Sequence, residues 1–107
     1  MNLKQRHGFR ITVERLPLGD DTPENRTDFD VGSHDDLLDI MRRVRTIGSF
    51  QTDEAYALAV GIKLFSGVML AHRNAPLFAA IQPAIHAFIG RLKATVAAAQ
   101  QGASTGA

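Results

Sequence analysis

The chain has 107 residues and a mass of 11.6 kDa, enough for one domain and too little for two full cores. Apolar residues make up 45% and charged residues 21%, an ordinary globular balance that excludes a disordered, collagen-like or disulfide-stapled chain. The absence of cysteine removes disulfides, thiolate nucleophiles, CxxC redox pairs and thiolate zinc sites, and a formal charge of +1 gives no global pull toward nucleic acid or anionic lipid.

Met1-Asn2-Leu3-Lys4-Gln5-Arg6-His7 has basic residues with no apolar stretch behind them, so no signal peptide is expected and the expected compartment is the cytoplasm. Phe9, Ile11 and Val13 alternate with Arg10, Thr12 and Glu14, the period of two of a half-buried strand from about His7 to Leu16. Pro17 ends it. Residues 18–26 are dense in turn formers and read as a polar loop. Phe29 and Val31, flanked by Asp28 and Asp30, predict a second strand over residues 27–32, antiparallel to the first. The loop is too long for a tight turn, so it does not fix the register.

From residue 34 the period changes. Leu37, Leu38, Ile40, Met41, Val44 and Ile47 fall on one side of a helix over 34–47, with Ser33 as N-cap, Asp36 completing a capping box and Gly48 as the stop. A second helix, capped by Thr52 or Asp53, runs to Arg73. Its only charge between Ala55 and Ala71 is Lys63, which with two glycines argues against a membrane span. Leu58, Ile62, Phe65 and Met69 form one stripe and Val60, Leu64 and Val68 another, so this is the predicted central helix, with the first stripe nearly inaccessible. Asn74 can cap a third helix with Pro76 in its first turn. Phe78, Ile81, Ile85, Phe88, Leu92 and Val96 line it, with a kink or restart near residues 79–82 ahead of Pro83. Residues 98–107 offer only alanine, glycine and polar side chains and read as a disordered tail.

Several short motifs occur in a telling order: Gly8-Phe9-Arg10-Ile11-Thr12-Val13, then Ser33-His34-Asp35-Asp36, Gly61-Ile62-Lys63-Leu64-Phe65, Val68-Met69-Leu70, Pro76-Leu77-Phe78-Ala79 and Arg91-Leu92-Lys93. Over about residues 7–93 this pattern resembles a family of small bacterial proteins, domain of unknown function number 3861. Ser66-Gly67 departs from it where an acidic residue often follows the Leu-Phe pair. The resemblance implies a compact domain of recurrent pattern and supplies no catalytic residues.

Charge is unevenly spread. Residues 17–39 hold eight acids against Arg26, a local net of −7, and the remainder carries +8. That segment could steer a cationic partner, although a solvated loop accounts for it as well. His34-Asp35-Asp36 is the most site-like cluster, able in principle to bind a metal or move a proton. Carboxylates in a first helical turn are also what the helix dipole favours, and only Asp35 with Asp39 has metal-ligand spacing. Arg42, Arg43 and Arg45 complement the other end of the same helix, and three arginines without a recognition element make no nucleic-acid footprint. Lys63, sharing the third face of the central helix with Tyr56 and Gly67, is a candidate base or Schiff-base lysine, against a structural role snorkelling or pairing with a carboxylate. No cofactor motif and no metal site are expected.

The expected architecture is α+β: a single domain over residues 1–97, with two antiparallel strands followed by three helices and the sheet packed on the helical layer. The function read from this pattern is a small interaction module, homodimeric, with a protein partner possible and neither nucleic acid nor membrane involved. The alternative is a small hydrolase or isomerase using His34 with Asp35 or Asp36, or Lys63. Open edges on a two-stranded sheet favour self-association, with the first strand the better edge because Asp28 and Asp30 defend the second.

Overall fold

The computed structural model describes residues 7–17 and 24–105, so most of the polar loop lies outside the described residues. The chain divides into two compact units, Met1–Asp36 and Leu37–Ala107. Two antiparallel strands followed by helices make it an α+β chain.

The first unit is a β-hairpin. β1 (His7–Glu14) and β2 (Arg26–Ser33) pair antiparallel with His7 opposite Ser33 and Glu14 opposite Arg26. This register sorts the side chains. Phe9 faces Val31 and Ile11 faces Phe29 on one side, while Arg10 faces Asp30, Thr12 faces Asp28 and Glu14 faces Arg26 on the other. Alternation therefore gives one apolar and one charged face. The His7 and Phe9 rings stack along the apolar side at 6.1 Å between centroids.

The second unit holds four helices, α1 (Leu37–Arg45), α2 (Thr52–Ala71), α3 (Pro76–Ala79) and α4 (Gln82–Thr105). The third predicted helix is two, divided at Ala80 and Ile81 just ahead of Pro83. Proline is tolerated in a first turn, where its missing N–H has no intrahelical partner.

Helix starts depart from the sequence reading in three places, α3 among them, where Ala75 rather than Asn74 is the N-cap and no side chain caps the helix. Ser33 caps no helix. It ends β2, and its hydroxyl accepts from the Asp35 N–H at 3.2 Å in a turn, which delays α1 to Leu37. α2 is capped by Gln51, whose N–H donates to the Glu54 carboxylate at 2.9 Å. Gly48 does stop α1: at φ 81° it occupies the left-handed region, and its N–H reaches Arg45 O at 3.3 Å.

The buried stripe of α2 also differs. Ala55, Ala59, Ser66 and Met69 are buried, whereas Leu58 and Ile62 are half-buried and Phe65 is 38% exposed. This stripe lies roughly 60° round the helix from the larger side chains. The cause is close approach: Ala55 and Ala59 let Val44 of α1 pack directly against the helix, with Ile40, Met41, Ile47, Leu58 and Val96 around them. Phe65 meets Phe78 edge-on, 5.9 Å between centroids. α2 spans 20 residues, and an 18-residue window within it has a mean hydropathy of 1.4, long and apolar enough by those measures to cross a membrane. It carries Lys63 at its middle, a position at which a charge costs about 2.5–3.5 kcal/mol in a bilayer.

Residues 98–105, read from composition as tail, continue α4 to Thr105. Alanine has the strongest helix propensity of any residue, and a preceding helix supplies the nucleus that a short isolated segment lacks.

Candidate functional site: an open sheet edge

In an antiparallel pair, residues alternate between exchanging ladder bonds and directing their N–H and C=O groups away from the partner strand. The Arg15 N–H donates to Asn25 O at 2.8 Å, directly beyond the Glu14–Arg26 pair. Counting back in twos, Val13, Ile11 and Phe9 bond to β2, and Glu14, Thr12, Arg10 and Gly8 direct their backbone groups outward. All four are exposed, and the sheet has two strands only among the described residues. Among the described residues, therefore, no strand pairs with the outward donors and acceptors of β1.

The same parity explains the charged face. Pairs that exchange no ladder bonds bring their Cα atoms to about 4.5 Å and their side chains closest. The Thr12 hydroxyl donates to Asp28 Oδ1 at 2.6 Å, Arg10 Nε to Asp30 Oδ1 at 3.0 Å, and Arg26 Nε to Asp28 Oδ1 at 3.4 Å. The hydrogen bond from Thr12 and then the Arg26 guanidinium hold the Asp28 carboxyl below its ordinary 3.8. The hydrogen bond and charge of Arg10 do the same for Asp30, and Arg10 is raised in return. Asp28 and Asp30 thus flank the outward backbone groups of β2, where a second acidic strand would be repelled.

Apolar surface accompanies the edge. Val13 is 62% exposed on the uncharged side of β1. A concavity of about 310 Å³ lies at the loop end of the hairpin, lined by residues 13–15 and 24–27. In the helical unit a second, of about 330 Å³, is lined by Ala57, Leu58, Gly61, Ile62 and Phe65 of α2 with Ile81 and Ile85.

None of the residues singled out for chemistry lines either hollow. His34, Asp35 and Asp36 are exposed in the turn between β2 and α1, and none lines either concavity. Lys63 is half-buried on α2 and likewise lines neither. Among the described residues no group of three or more His, Cys, Asp or Glu is placed to hold a metal ion. Asp39 pairs with Arg43 at 2.8 Å across one helical turn. The outward backbone groups of β1 carry no side-chain signature. The alternating pattern marks the strand, but only the register decides which residues bond inward.

Residues 7–94 match the sequence profile of a domain of unknown function with solved structures, DUF3861. The chain belongs to that family. A similar fold is seen in the crystal structure of a protein of unknown function from Pectobacterium atrosepticum, with a TM-score of 0.71 and 30% identity over 81% of this chain and 95% of that one. No curated protein matches this DUF3861 member.

Proposed function

We propose that this DUF3861 chain is a small interaction module that works by recognition and pairs with a second copy of itself. The observation that carries this reading is the unpaired outer edge of β1, with Gly8, Arg10, Thr12 and Glu14 offering their backbone groups to solvent. Monomeric proteins shield such edges with charge, proline or a covering element. β2 has its carboxylates. β1 has a threonine flanked by one base and one acid, which opposes pairing far less. Two-fold pairing is the commonest way for identical chains to satisfy a shared edge.

Thr12→Pro tests the reading. The substitution removes a donor that points away from β2, so the hairpin ladder stays intact while the outer edge is blocked. The expected result is a shift from twice the chain mass toward the 11.6 kDa monomer in light scattering, with the helical circular dichroism unchanged. A variant that associates as tightly as the parent would show that pairing, if present, uses another surface.

A further inference from the structure

Resting on the self-pairing reading, we infer that the two copies join β1 to β1 antiparallel about a two-fold axis at Thr12, making one continuous four-stranded sheet. Within β1, Gly8, Arg10, Thr12 and Glu14 direct backbone groups outward, so the possible registers are few, and those centred on Gly8 or Phe9 bring no opposite charges of β1 together. Centring on Arg10 sets two arginines directly opposite, and centring on Glu14 sets two glutamates opposite. An axis at Ile11 sets Arg10 against the partner's Thr12, and an axis at Val13 sets Thr12 against the partner's Glu14, neither of which pairs opposite charges. Centring on Thr12 sets Arg10 against the partner's Glu14 and Glu14 against the partner's Arg10. Like charges directly opposite destabilise a sheet, and opposite charges stabilise it.

The hairpin register extends that match across the whole sheet. Asp30 lies opposite Arg10 and Arg26 lies opposite Glu14 within one copy. In the Thr12-centred dimer the order across the strands becomes Asp30, Arg10, the partner's Glu14, the partner's Arg26. Its signs run minus, plus, minus, plus, and symmetry repeats the row on the other side of the axis. Between these rows lie the two threonines, each already donating its hydroxyl to its own Asp28. On the opposite face the same register places exposed Val13 against the partner's Ile11 in a pair that exchanges no ladder bonds, where side chains approach most closely. The ladder parity permits this alignment, and the charged face selects it among those permitted.

Because the chain has no cysteine, a single introduced thiol reports the register directly. In a pair that exchanges ladder bonds the Cα atoms stand about 5.5 Å apart, within disulfide reach. Thr12→Cys is expected to convert to a disulfide-linked dimer under mild oxidation. Asp28→Cys, on the far strand and about three strand spacings or ~14 Å from its mate, is expected to stay unlinked. Sedimentation of the unmodified chain runs alongside. A dimer there with Thr12→Cys unlinked, or with Asp28→Cys linking as readily, overturns the alignment and leaves self-pairing standing; a monomer overturns both. Amide exchange on the unmodified chain makes the test independent of any substitution. The Thr12 amide should exchange more slowly as protein concentration rises, and concentration-independent fast exchange in a dimer contradicts the alignment.

Discussion

Thr12, Asp28 and Asp30 do most to define the charged face of the hairpin, and they make its stability depend on pH. Both carboxyls titrate below their ordinary 3.8 in the folded hairpin, through hydrogen bonds from Thr12 and Arg10 first and the arginine charges next. Folding therefore favours their ionised forms. Their contribution is fully present above the ordinary value and is lost as pH falls through the depressed one. Cross-strand contacts followed by NMR should persist at about pH 6 and weaken on acidification below about pH 4. The double variant Asp28→Asn/Asp30→Asn should flatten that acid limb. An acid limb as steep as the parent's would assign it to other groups. In the helical unit the contrast lies between two α2 side chains. Met69, 1% exposed, should cost ~2–5 kcal/mol on truncation to alanine. Phe65, at 38% exposure, should cost only about 1–2 kcal/mol. Denaturant titration checks the order, and Phe65→Ala costing more than Met69→Ala would contradict this packing. Gly48→Ala, forced to φ 81°, should cost ~1–2 kcal/mol.

Among elements, the strands were the most legible, because alternation of Phe9, Ile11 and Val13 with polar neighbours has no other economical reading. Their pairing was legible as antiparallel, but not its register, since a long polar loop leaves several alignments open. That gap concealed the candidate site, because the parity of the ladder decides which β1 residues face outward. The apolar spacing makes α1 legible, but not its start at Leu37. Ser33 and Asp36 have capping-box spacing, and only pairing with His7 reveals that Ser33 belongs to β2. In α2 the sequence ranks Leu58, Ile62 and Phe65 as core because they are large. The packing instead selects Ala55 and Ala59 because they are small enough for α1 to approach. The end of α4 shows the converse limit: composition without apolar side chains resembles tail, yet alanine propensity carries the helix on. Gln100, Gln101 and Gly102 are exposed. Residues 102–107 hold only glycine, alanine, serine and threonine, with no large apolar side chain to bury, so deleting them should leave the thermal midpoint unchanged, and a fall of several degrees would show that the segment docks.

For the molecule as a whole, the proposed association rests on the outer edge of β1, with which no strand pairs among the described residues. Asp28 and Asp30 defend β2, whereas β1 carries Arg10 and Glu14 in positions that complement each other across a two-fold. The four candidate groups His34, Asp35, Asp36 and Lys63 line neither concavity, so recognition through the strand edge has the stronger structural support. The direct measurement is sedimentation equilibrium of the unmodified chain at micromolar concentration. A species of twice the 11.6 kDa chain mass that dissociates on dilution is expected. A single species at the chain mass throughout that range would contradict it.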